Sequence, residues 1–278
     1  MITKITLDNR LKSIDAEEYE KLKATVLTEY PYPLSVSYKN LQDMEDSAAG
    51  TIGWLAICVK DVLSSLYQYL ALLILQDYVR SDIQPAFDAS DHQKKDKIDD
   101  LRMDVFNELE KMAHWPGLSR WRGFWIKVRN YYGVLEHKPL INDLFAFLDR
   151  HDSKTGTTLK LHYPGYVVEN TTLQSLTAVR NAWAHSKNLS AEDAKELRSA
   201  LRMLLHYLFN DLSFLTDFPL LLDRPEGRLN LSGWELPQVL QNEGGIQKVL
   251  LGLPEGQSPM MELFLHCDIE ASHTDLLL

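Results

Sequence analysis

The residues of this 278-residue chain whose types and spacing could do chemistry are concentrated in one stretch, Arg180-Asn-Ala-Trp-Ala-His185. Arginine stays charged at any working pH and offers a planar fork of donors that fits phosphate oxygens. Histidine titrates near neutrality, so it can give or take a proton. A fixed cation beside a proton carrier suits a reaction at phosphate, where stabilising the charge that builds up in the transition state is usually the largest catalytic term. Asn181 reads as an orienting or capping side chain beside the arginine. The spacing imposes a constraint. Five steps along a regular helix turn the chain through about 500°, so positions 180 and 185 lie about 140° apart. They converge only where His185 ends its helix, or where two copies of the chain face each other. At a helix end the dipole favours protonated His185. A purely structural use of the same residues pairs Arg180 with a carboxylate and lets His185 cap the last carbonyls. Trp183 fits a core or an interface better than a stacking platform.

The elements that must position these residues are legible on either side. Leu173, Leu176 and Val179 form an apolar stripe, which predicts a helix from Thr171 or Thr172 to about Ala184 with one face buried. Ser186-Lys187-Asn188-Leu189-Ser190 interrupts it. Ser190 with Asp193 resembles a capping box and opens a second helix to about Phe209, on the stripe Leu197, Leu201, Leu204, Leu205 and Leu208.

An Arg, a polar residue and a His five positions after the Arg, at the junction of two amphipathic helices, resemble the HEPN superfamily. These are helical domains whose ribonuclease members carry an Arg, four to six residues, then a His. The resemblance covers about Thr171 to Asp211. It implies metal-independent, cofactor-free cleavage of RNA, in which the 2′-hydroxyl is the nucleophile. Arg180 would neutralise the scissile phosphate, His185 would handle the proton of the 2′-hydroxyl or of the leaving 5′-oxygen, and Asn181 would hold one of them in place. Lys187, beside Asn188, would add a phosphate contact. The resemblance also implies a homodimer whose two motifs share one composite cleft, and a place in bacterial stress or anti-phage defence as a toxin-like nuclease. The same domain used without catalysis would be a dimerisation or ligand-sensing module of a larger protein.

A second candidate RNA surface is the window Lys111 to Lys138, with Arg120, Arg122, Lys127 and Arg129 among Trp115, Trp121, Phe124, Trp125, Tyr131 and Tyr132, and Glu136 as its one acid. Cations interleaved with aromatics are what a single-stranded RNA groove uses. The same pattern also describes an amphipathic helix with its rings inward. Elsewhere the net charge of −10 excludes broad, non-specific nucleic-acid binding and leaves only local contacts.

The remaining chain reads as mainly helical. Helices are expected over Asp15 to Tyr30, Ser37 to Asp46, Ile52 to Tyr78, Asp96 to Met112, Leu118 to Leu135 and Pro139 to Arg150, with Tyr30-Pro-Tyr-Pro33 as an extended joint. His151 to Tyr166 reads as a long loop with one short strand near Leu159 to His162. Residues 1–215 are thus expected to form a helical bundle of HEPN type, the motif lying within about 165–215, and 216–278 a small β-rich appendage. The terminal Leu276-Leu277-Leu278 suggests that a further domain follows. The longest unbroken apolar run in the leucine-rich segment Ile52 to Val79 is Tyr69 to Leu75. That run is too short to span a bilayer, so a buried central helix is expected rather than a membrane span. Two distant cysteines, Cys58 and Cys267, offer no disulfide framework or metal spacing. With an N-terminus that lacks a signal-peptide core, this points to a reducing, cytoplasmic compartment.

Overall fold

In the computed structural model the described residues are 4–6, 15–46, 52–80, 92–114, 117–136, 138–153, 155–163, 165–185, 191–235, 245–252, 261–268 and 273–277. Among them the chain is mainly helical, with eight α-helices and a smaller β component. It divides into two compact units, one of Met1–Leu63 with Phe147–Leu277 and one of Ser64–Ala146.

The unit Ser64–Ala146 holds the second part of α3 (Ile52–Arg80), α4 (His92–His114), α5 (Leu118–Leu135) and the start of α6 (Asn142–His151). Leu66, Tyr67, Leu70 and Ile74 of α3, Val105 and Met112 of α4, and Trp121, Phe124, Trp125, Val128, Tyr131 and Tyr132 of α5 are buried. Aromatic rings knit these faces together: Tyr67 lies 4.9 Å from Trp125 and Tyr132 stacks 5.4 Å from Phe145. Helix α5 ends on Glu136 in the left-handed region at φ 52°. One buried carboxylate organises the passage from α5 to α6. Asp77 accepts hydrogen bonds from the Tyr132 hydroxyl at 2.8 Å and from the Ile141 amide at 2.7 Å, which fastens the entry to α6. By length and composition Ile57–Val79 could cross a membrane, but 61% of its most apolar window is buried within the protein.

The other unit carries the motif. Helix α1 (Ala16–Thr28) starts on Asp15, whose side chain accepts from the Glu18 amide at 2.8 Å. Helix α2 (Tyr32–Asp46) begins five residues earlier than the expected Ser37. Pro33 does not delay it, because a first-turn residue needs no intrahelical donor. The extended joint shrinks to Tyr30-Pro31. The Ser35 hydroxyl donates back to the Val26 carbonyl at 2.7 Å, and buried Tyr30 donates to the Phe209 carbonyl at 2.5 Å.

The expected long loop at 151–166 is instead largely a hairpin. Strands β1 (Lys4–Thr6), β2 (Thr158–Tyr163) and β3 (Tyr166–Thr171) form an antiparallel sheet in that order. The turn closes on the pair Tyr163–Tyr166, with Gly165 at φ 83°, a conformation glycine takes without steric cost. Helix α7 (Thr172–His185) follows β3 directly, and α8 (Ala191–Asp211) packs on it. A short 3-10 turn leads to a second antiparallel sheet of β4 (Leu220–Arg224), β5 (Gly227–Leu231), β6 (Gly245–Leu251), β7 (Met261–Asp268) and β8 (His273–Leu277), in the order β5-β4-β6-β7-β8. The β character expected after residue 216 is present, and Leu276 and Leu277 pair with Leu265 and Phe264.

Replacing Asp77 by Ala leaves the Tyr132 hydroxyl and the Ile141 amide without their acceptor. The expected cost is about 3 kcal/mol, seen as a lower urea midpoint. A midpoint equal to that of the parent chain would show that the network adds nothing to stability.

Candidate functional site at the end of helix α7

Helix α7 is set at its start. The Thr171 hydroxyl accepts from the Gln174 amide and the Gln174 side chain accepts from the Thr171 amide, each at 3.4 Å, a reciprocal capping box. Leu173, Leu176 and Val179 are buried and fix which side of the helix faces inward. At about 100° per residue, position 180 falls about 40° from the centre of that stripe, 181 about 140° and 185 about 180°. The observed burial follows this phase, with Arg180 half-buried and Asn181 exposed.

Arg180 donates from Nη1 to the Asn181 Oδ1 at 2.6 Å, while its Nε is buried without a partner. Among the described residues no carboxylate neutralises this guanidinium. A cation held by a neutral amide, with one donor unused, keeps its charge for an incoming anion. His185 is the last residue of α7, and the next helix opens at Ala191. The side chains of Trp183 and His185, the residues Lys187 and Asn188, and the cap at Ser190 lie outside the described residues.

The basic window runs from the last turn of α4 through α5 in the other unit. Trp121, Phe124, Trp125, Tyr131 and Tyr132 are core residues there, so these rings cannot alternate with cations along an open groove. Lys127 pairs with Asp104 and Lys111 with Glu108, both at 2.6 Å. Arg120 is exposed, and Arg122 and Arg129 are half-buried. Trp115 lies outside the described residues.

One charged cluster has no signal in the sequence, because its members come from separate elements. At the end of α6, fully buried His151 shares its Nε2 with the Asp211 carboxylate at 2.8 Å, and Arg150 donates to the same oxygen at 2.6 Å. Phe147 and Tyr207 flank the imidazole at 4.6 and 5.2 Å, and its Nδ1 has no partner. The neighbouring Asp152 accepts from the Thr171 hydroxyl at 3.4 Å, so the cluster lies by the start of α7, about 20 Å of helix away from His185. Buried from solvent, His151 cannot touch a substrate; it ties α6 to α8. Burial lowers its pKa against the opposing pull of Asp211. Burial would raise the pKa of Asp211, but the hydrogen bonds from His151 and Arg150 outweigh it and hold the carboxyl below its ordinary value. The pair is therefore neutral imidazole and carboxylate.

Comparison with models of known families, with curated proteins and with solved structures gives no match to this chain. Among the described residues no group of three or more His, Cys, Asp or Glu is arranged to hold a metal ion.

A histidine whose folded pKa is depressed is protonated more readily in the unfolded chain. Its contribution is complete above the ordinary value of 6.5 and is lost as pH falls from there through the folded value. Buried His206 shifts in the same sense. The chain should therefore unfold at a lower temperature in mildly acidic buffer than in mildly alkaline buffer, and His151→Gln should shrink that difference. A His151→Gln difference equal to that of the parent would remove His151 as its source.

Proposed function

We propose that this chain is a metal-independent RNA endonuclease of the HEPN type, acting as a homodimer in the cytoplasm, within bacterial stress or anti-phage defence. The observation that supports it most is the Arg180–Asn181 pair on the last turns of a helix that ends at His185. In the reaction the 2′-oxygen attacks the adjacent phosphorus, the bond to the 5′-oxygen breaks, and a cyclic phosphate and a 5′-hydroxyl result. The proton leaves the 2′-hydroxyl and one arrives on the 5′-oxygen; His185 carries one of these transfers. Arg180 binds the phosphoryl oxygens and is aimed by Asn181. Position 185 falls about 180° from the buried stripe of α7, and in this reading a second copy completes the cleft. A non-catalytic dimerisation or ligand-sensing module is the second reading, favoured by the half-burial of Arg180 and by the donor it already commits to Asn181.

Incubation with mixed single-stranded RNA in chelator tests the proposal. His185→Ala and Arg180→Ala should each lower the rate by about 10²- to 10⁴-fold. Asn181→Ala, a loss of positioning, should cost about tenfold, with the loss in kcat rather than KM. Cleavage unchanged in both the Arg180 and the His185 variants would remove this site. A silent wild type over varied RNA and pH would leave the non-catalytic module.

A further inference from the structure

Helix α4 leaves a large apolar pair in water. Ile98, Val105 and Met112 are buried and turn one side of the helix inward, while Phe106 is 60% exposed and Met103 56%. At about 100° per residue, Met103 stands about 60° to one side of Phe106 and half-buried Leu109 about 60° to the other. Single apolar residues scattered on a surface are ordinary. These three instead form one strip, with Phe106 at its centre.

The charges beside the strip are arranged about the same centre. Arg102 and Glu110 are exposed, each four residues from Phe106 and about 40° to either side of it. Neither is in an ion pair among the described residues. The other charges in that sector, Lys95 and Asp99, are of opposite sign. On the side toward α5 the charges are engaged, Lys111 by Glu108 and Lys127 by Asp104. Asp96 and His114 stand about 80° from Phe106 and Asp100 about 120°, all off the strip. The sector centred on Phe106 therefore carries no net charge, in a chain of net charge −10. Like-charge repulsion does not keep a second copy from this face.

Symmetry makes that copy the occupant that fits. A two-fold axis through Phe106 lays two α4 helices antiparallel and sets each residue opposite the one equally far beyond Phe106 in the partner. Phe106 then meets its own copy. Met103 meets the partner's Leu109 and Arg102 meets the partner's Glu110, and each of these contacts occurs twice.

We propose that α4 is a self-association face, on which two copies of this chain pack antiparallel through Met103, Phe106 and Leu109, with Arg102 of each copy paired to Glu110 of the other. The strip from Asp99 to Ala113 is about 21 Å long. That is short for a protein interface, so the pairing exchanges and depends on concentration. It owes nothing to the chemistry of Arg180 and His185, and a dimer here and cleavage there succeed or fail separately.

Sedimentation of the full chain over a range of concentrations, without RNA, gives the dissociation constant of the dimer. Phe106→Ala should raise it by about tenfold or more. Arg102→Glu and Glu110→Arg should each raise it by about tenfold, because each sets like charges against one another twice. The double variant should return close to the parent value. An equimolar mixture of the two single variants should form a heterodimer at concentrations where neither pairs with itself. Unfolding midpoints should stay at the parent value, since these side chains are exposed. A parent chain that is monomeric at every concentration overturns this face together with the shared cleft of the proposed reaction. A dimer unchanged by Phe106→Ala overturns the face alone. Single charge variants that weaken pairing without recovery in the double variant or the mixture overturn the antiparallel register.

Discussion

An unbroken α-helix turns residues five apart about 140° from one another, so the side it buries decides which of them can face a common point. Helix α7 buries Leu173, Leu176 and Val179 and runs unbroken from Thr172 to His185. That stripe brings Arg180 to the edge of the core, Asn181 out to solvent, and position 185 round to the opposite side. The rest of the motif's setting depends on this phase. Arg180 is confined enough that a single side chain, Asn181, can hold it. The capping box at Thr171 and Gln174 starts the helix where it does, and one residue of slip there would rotate the whole set by about 100°.

The start of α7 is also tied to α6 and α8 by polar contacts. Thr171 reaches Asp152, and the adjacent His151 and Arg150 converge on Asp211 at the end of α8. The buried His151 and the Asp211 carboxylate are compensated there by their mutual hydrogen bond and by Arg150, since an unpaired carboxylate in the core would cost several kcal/mol. The far end of α7 has the reverse character among the described residues, with a guanidinium that meets no carboxylate and retains a spare donor. One end of the helix is secured and the other keeps its charge unspent.

Much of this is legible in the sequence wherever a long apolar stripe is present. The bounds of α5, Leu118 to Leu135, and the change of helix between His185 and Ser190 are both readable from periodicity. Shorter signals fail for identifiable reasons. The expected short strand at Leu159 to His162 lies within β2, but its partner β3 is hidden because Gly156, Pro164 and Gly165 make the stretch read as loop, while Tyr166, Val167 and Val168 carry the strand signal. Gly156 marks a close approach of backbone: a Cβ there would lie 2.3 Å from the Arg150 carbonyl. Strand β1, with three residues, has no periodicity to read. Pro33 masks the start of α2, since a proline in a first turn looks like a proline that ends one. The Arg150–His151–Asp211 cluster joins residues about sixty apart, and no spacing rule links them.

The proposed cleavage needs Arg180 and His185 to act together, and in that proposal they do so across two copies of the chain. Mixing two inactive proteins tests this directly. Arg180→Ala and His185→Ala chains, unfolded and refolded together so that mixed dimers form, should recover a measurable part of wild-type RNA cleavage in the presence of chelator, because a mixed dimer still brings one arginine and one histidine to the shared cleft. If wild type cleaves and the mixture stays as silent as each variant alone, the pair works within a single chain or not at all, and the shared cleft does not exist.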